Sequence, residues 1–112
     1  MKIDNIDFFG KVDFKKLKYL NLNGNKINSI EIFTKVSFKD LLSLNLEFNQ
    51  INNINCLTNF SFNKLNHLGL RDNKFNPKDE RIKNIVEEFK KKCKKIDVVV
   101  DQPEKGPLGK LF

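Results

Sequence analysis

Histidine appears once in this chain, at His67, and cysteine only twice, at Cys56 and Cys93. That scarcity excludes most familiar chemistry. There is no CxxC, no HExxH, no glycine-rich phosphate loop and no nucleophile elbow, so no recognisable motif assembles a metal centre or an activated nucleophile. No catalytic residue, metal ligand or cofactor is expected, and the chain is read as non-enzymatic. Two cysteines do not make a disulfide framework. Each sits in apolar surroundings where a free cysteine packs as a small hydrophobe. The opening MKIDNIDFFG has no apolar h-region, and no run approaches the ~18 apolar residues a membrane span requires. A cytoplasmic, reducing location is the default expectation, with no membrane partner.

Acidic residues are in deficit. Against 14 of them stand 21 basic ones, for a net charge of +7, and all the basic residues except Arg71 and Arg81 are lysines. A basic chain attracts nucleic acid or anionic lipid, so the placement of the lysines decides more than their sum. Lys11, Lys15, Lys16, Lys35, Lys39 and Lys64 fall between the expected strands, and others load the last helix. No aromatic stacking platform accompanies them, which fits a solvated outer surface. A basic nucleic-acid-binding surface is therefore the runner-up reading from another class, and nucleic acid is not the expected partner.

What the chain does contain is a frame. Leu17, Leu20, Leu22, Asn25, Ile27 and Ile30 spell LxxLxLxxNxIxxI. Leu41, Leu44, Leu46, Asn49, Ile51 and Ile54 spell it again 24 residues later, and Leu65, Leu68, Leu70, Asn73 and Phe75 begin a third copy. The intervening segments keep step: Phe9, Phe33 and Leu57 align, as do Val12, Val36 and Phe60, and Phe14, Phe38 and Phe62. A fixed period in this range is the signature of a solenoid. At 112 residues the chain is one domain, large enough for a core without staples.

Each LxxLxLxx segment reads as a short strand whose alternate leucines point inward. Successive copies are expected side by side in a parallel sheet, covered on its inner face by the return segments. Apolar residues at steps of three in those segments suit 3₁₀ or short helical turns. Phe14, Phe38 and Phe62 are expected to stack ring on ring as an aromatic spine. Asn25, Asn49 and Asn73 each carry donors and an acceptor on one planar group, which suits a corner where main-chain groups turn into a dry core. They are read as a structural ladder linking the copies.

Asn76-Pro77 reads as a helix N-cap followed by proline at the first helical position, with Asp79 and Glu80 in the first turn. Ile82, Ile85, Val86, Phe89 and Cys93 then recur at helical spacing, and Lys90, Lys91, Lys92, Lys94 and Lys95 load the C-terminal end. Cys93, Ile96, Val98 and Asp101 re-enter the frame and supply a fourth strand. The organisation expected is thus a repeat domain over 1–101: a partial repeat at 1–16, repeats at 17–40 and 41–64, then 65–75 joined to a helix-plus-strand closing repeat at 76–101. Residues 102–112, rich in Pro, Gly and Lys, are expected to be a flexible tail. Met1 stands where a repeat asparagine belongs, so the first copy lacks its strand half. The strand around Tyr19–Asn23 is expected to be an open sheet edge, available for self-association or for a preceding part of a longer repeat protein.

These residues resemble those of leucine-rich-repeat proteins, over about residues 2–101. The isoleucines at the eleventh and fourteenth repeat positions look most like the intracellular class associated with protein phosphatase 1 regulation, although this chain's repeats are longer by an x-Phe step (Ser37-Phe38, Ser61-Phe62). The resemblance implies an α/β fold: a right-handed solenoid with a short curved parallel sheet on the concave face, 3₁₀ or short helical turns on the convex face, and a C-terminal capping helix and strand. It also draws attention to Lys11-Val12-Asp13-Phe14 and Lys35-Val36-Ser37-Phe38, which match a short phosphatase-docking peptide. The apolar columns they occupy place Val36 and Phe38 in the core, whereas docking needs an accessible strand. A phosphatase-regulator role is accordingly the weakest alternative.

In the resembled family the concave face binds proteins, so a protein partner is the expected one. The frame places four columns on that face: Tyr19, Ser43, His67, Lys95; Asn21, Asn45, Gly69, Asp97; Asn23, Glu47, Arg71, Val99; and Gly24, Phe48, Asp72, Val100. The candidate contact residues are Tyr19, Asn21, Asn23, Ser43, Asn45, Glu47, Phe48, His67, Arg71, Asp72, Lys95 and Asp97. Tyr19, Phe48 and Arg71 carry the most weight, since interface hot spots favour aromatic residues and arginine. The competing reading pairs Glu47 with Arg71 across strands and leaves Phe48 as a scattered surface residue.

Overall fold

The structure is a computed structural model, and it describes residues 3–12, 15–60, 62, 64–93 and 95–97. It is an α/β arrangement with one parallel sheet of four three-residue strands in the order of the chain: β1 (Tyr19–Asn21), β2 (Ser43–Asn45), β3 (His67–Gly69) and β4 (Lys95–Asp97). Tyr19 pairs with Ser43 and Ser43 with His67, a register offset equal to the 24-residue sequence period. His67 pairs with Lys95 across the longer final step. Three 3₁₀ turns, Asp7–Lys11, Glu31–Thr34 and Asn55–Asn59, stand at matching places in the return segments. The residues that open them, Ile6, Ile30 and Ile54, have nearly the same torsions (φ −116°, −117° and −118°, ψ 19° in each).

The core is one cluster. Leu22, Leu44, Leu46, Leu68 and Leu70 from the strand segments meet Ile27, Ile30, Phe33, Phe38, Ile51, Ile54 and Leu57 from the returns. Burying each such side chain contributes roughly 1.5–3 kcal/mol. Leu20 is only half-buried; among the described residues β1 pairs with β2 alone and stands at the edge of the sheet. Val36 and Phe38 are buried, at 7% and 0% exposure, as their columns required. Val12, in the same column as Val36, is 41% exposed.

The phenylalanines form a net in which the expected column is one thread. Phe38 and Phe62 lie 5.3 Å apart, tilted by 32°. Phe33 meets both Phe38 (5.7 Å) and Phe60 (6.1 Å) edge-on, and Phe60 meets Phe62 (5.0 Å) and Phe89 (6.3 Å) the same way. Edge-to-face contact puts the electron-poor rim of one ring against the electron-rich face of another. That preference cross-links the columns, while the Phe38–Phe62 step keeps the offset stacking expected of the spine; Phe14, its first member, lies outside the described residues.

Helix α1 (Glu80–Lys90) starts three residues later than the Asn76-Pro77 reading placed it. Asp79 is the N-cap, its carboxylate accepting the Arg81 N–H at 2.9 Å. That bond, followed by the Arg81 side chain, holds its carboxyl below the usual carboxylate range. Asn76 instead caps a turn, taking the Lys78 N–H at 3.0 Å on its side chain, and Pro77 supplies the fixed φ of that turn. Val86, Phe89 and, just beyond the helix, Cys93 are buried, and Ile82 and Ile85 pack against the core. No helix among the described residues is long and apolar enough to cross a membrane. Met1, Lys94, Val98, Val99, Val100, Asp101 and the expected tail at 102–112 lie outside the described residues.

Candidate functional site

Strand alternation sends the leucines into the core and leaves Tyr19, Ser43 and His67 adjacent on the other face, with Lys95 next to them in register. Tyr19 is 68% exposed. Ser43 Oγ and His67 Nδ1 are 3.1 Å apart, so this pair is tied across the strands and His67 is half-buried. Asn21, Asn45, Gly69 and Asp97 form the second row by the same registers.

Several of these outward residues are already engaged. Asn21 Oδ1 accepts the Asn23 N–H at 2.9 Å, and Asn23 Oδ1 accepts the Glu47 N–H at 2.9 Å. Both side chains complete the end of the strand, so the sequence reading that offered them as contact residues understated their structural part. Gly69 leaves a notch. A Cβ there would lie 2.8 Å from Asn45 Oδ1 and 2.9 Å from Glu47 Oε2, because those two side chains lean over it. Arg71 does not reach for Glu47 as the competing reading required. Its Nε lies 3.4 Å from Asp72 Oδ2, with both side chains more than half exposed, a pairing worth little in solvent.

The most distinctive geometry is at the corner after each strand. Gly24, Phe48 and Asp72 all adopt left-handed torsions, with φ of 71°, 58° and 59°. Glycine and aspartate tolerate this region, but a bulky aromatic seldom does. Phe48 is held there by the repeat: its N–H donates to the Arg71 carbonyl at 3.0 Å, just as Gly24 N–H donates to the Glu47 carbonyl at 2.9 Å. The side chain is 56% exposed. Sequence reasoning placed Phe48 outward but missed its strained backbone. The signal was present, since glycine occupies the same repeat position at Gly24.

A separate cleft of about 240 Å³ lies between Asn52–Asn55 and the start of α1, with Lys74, Asp79 and Arg81 on its walls. Its polar groups are largely satisfied by one another: Asn53 takes the Asn55 N–H at 2.8 Å, and Asp79 takes the Arg81 N–H. No three metal-ligating side chains converge among the described residues. Cys56 and Cys93 are buried. Burial pushes the Cys56 thiol from its ordinary 9.0 up to about 11, with the Glu31 carboxylate adding to the rise, so it is a poor nucleophile. No protein-family model, no curated protein and no solved structure matches this chain.

Proposed function

We propose that this chain is a leucine-rich-repeat solenoid, right-handed, that serves as a non-enzymatic protein-interaction module. Its partner is a protein, held on the outward face of the sheet, with Phe48 and Arg71 at the centre of the contact and Tyr19 at the far side. Phe48 is the observation that carries the reading. A large aromatic is kept more than half exposed on a left-handed backbone, at a cost of roughly 1–2 kcal/mol relative to glycine, and the core makes little use of it. Strain of this kind is retained where a side chain is needed outside the fold. The 24-residue register and the asparagine bonds between successive repeats support the solenoid part of the reading.

The strand face by itself is small. Four three-residue strands, ~4.8 Å apart and rising ~3.3 Å per residue, make a face of only ~15 by ~10 Å, short of the ~800 Å² per partner of a standard interface. The contact therefore extends onto the corner ridge at Gly24, Phe48 and Asp72. The test is crosslinking capture from cell extract with the wild type and a Phe48→Ala/Arg71→Ala pair. The expected result is a partner retained by the wild type and lost by the pair while far-UV dichroism stays unchanged. Equal capture by both proteins would remove this face from consideration.

A further inference from the structure

Asn23-Gly24 is the one asparagine–glycine pair in the chain. Such a pair forms a succinimide readily, because glycine leaves its amide nitrogen unhindered and its torsions free. Here both reacting groups are held by a single residue of the next strand segment. Asn23 Oδ1 accepts the Glu47 N–H at 2.9 Å, and Gly24 N–H donates to the Glu47 carbonyl at 2.9 Å. The flanks are tied as well: Asn23 N–H donates to Asn21 Oδ1 at 2.9 Å, and Asn25 Nδ2 approaches the Asn23 carbonyl at 3.4 Å. The Gly24 nitrogen cannot attack until its bond to the Glu47 carbonyl breaks, nor can the carboxamide swing towards it until the Asn23 Oδ1 bond to the Glu47 N–H does.

We propose that Asn23-Gly24 is a deamidation site gated by local opening, silent while the two strand segments are joined and reactive once this corner of the edge strand parts from its neighbour. Gly24 N loses its proton to solvent base and attacks Asn23 Cγ. The N–Cγ bond forms, the Cγ–Nδ2 bond breaks, and Nδ2 leaves as ammonia after gaining a proton from water. Water then adds to one of the two succinimide carbonyls, giving aspartate or isoaspartate, with no change of oxidation state. Aspartate keeps an acceptor for the Glu47 N–H. Isoaspartate adds a methylene to the main chain, so Gly24 N–H no longer meets the Glu47 carbonyl and the corner cannot reclose. The edge strand is the place where such opening is easiest, since among the described residues β1 is paired on one side only.

The experiment ages the full chain at mildly alkaline pH, in buffer and in concentrated urea. Isoaspartate is located by peptide mapping and by enzymatic methyl transfer. Asn28-Ser29, exposed and followed by a small residue, is the internal reference. In urea isoaspartate is expected at Asn23 well before Asn28. In buffer the Asn23-to-Asn28 ratio is expected to fall by on the order of tenfold or more, for two hydrogen bonds that must open. An unchanged ratio would overturn the gating. The aged, refolded isoaspartate form is then compared with Asn23→Asp. A lower urea midpoint for the isoaspartate form alone supports the failure to reclose, and equal midpoints would overturn it.

Discussion

Asn49 clasps Ile27 across the repeat boundary: its Oδ1 accepts the Ile27 N–H at 3.1 Å, while its Nδ2 donates to the Leu22 carbonyl at 3.0 Å and to the Leu46 carbonyl at 3.1 Å. One side chain thus satisfies main-chain groups from two successive repeats, in a place where only 7% of it is exposed. Asn73 repeats the pattern on Ile51, Leu46 and Leu70. Asn25 holds Ile3 and Leu22, and its Nδ2 lies 3.4 Å from the Asn23 carbonyl.

Asn49→Ala leaves the Ile27 N–H without its acceptor and takes one of two amide donors from the Leu22 and Leu46 carbonyls, which keep Asn25 and Asn73, at a cost on the order of 1–3 kcal/mol. Asn25→Ala is expected to cost less, because Asn25 is half-buried and water replaces part of what is lost. Urea midpoints of the two variants against the wild type check the order.

Phe48→Gly relieves the left-handed strain at φ 58° and gives up little buried area. Its urea midpoint is expected to match or exceed the wild type by up to about 1 kcal/mol, while partner capture is lost. A loss of more than about 1 kcal/mol would show instead that Phe48 is a packing residue.

Gly69→Ala places a methyl carbon against Asn45 Oδ1 and Glu47 Oε2. Both are the far ends of side chains that can swing away, so the stability cost is expected to stay below about 1 kcal/mol. The outward face changes shape all the same. Partner capture should weaken with the midpoint nearly unchanged, and the two measurements together separate this from simple unfolding.

Cys56 holds its proton longer when folded, at about 11 against the ordinary 9.0, because burial disfavours the thiolate. The unfolded chain therefore loses that proton first as pH rises. The stabilisation is fully present below pH 9.0 and is lost as pH climbs towards and through about 11. Other groups titrate in that window, so the wild type is compared with Cys56→Ala: its midpoint is expected to fall more steeply than the variant's. Native Cys56 should also resist a thiol reagent at neutral pH until urea is added.

The strand register was legible in the sequence because a parallel sheet built from equal repeats has no freedom to slip. Tyr19, Ser43 and His67 share a row once Leu20, Leu44 and Leu68 share a core. The asparagine bonds were legible for the same reason, as Asn25, Asn49 and Asn73 stand at one corner of the pattern. The helix start was not. Asn76 and Asp79 are both good caps, and proline at position 77 suits a turn as well as a first helical residue. In the fold Asp79 takes the Arg81 N–H and caps the helix, while Asn76 takes the Lys78 N–H and closes the turn before it. The phenylalanine net was hidden too, since ring orientation follows from neighbours in other columns.

By itself the sequence determined which main-chain atoms would lie side by side, because the period sets the offset between strands and the leucines set which face is dry. Tertiary structure alone decided what the outward side chains do. Whether Asn23 meets a partner or the Glu47 N–H depends on reach across 24 residues of separation, which no local pattern encodes. The left-handed torsion at Phe48 runs against that residue's own preference and is imposed by the bond from its N–H to the Arg71 carbonyl.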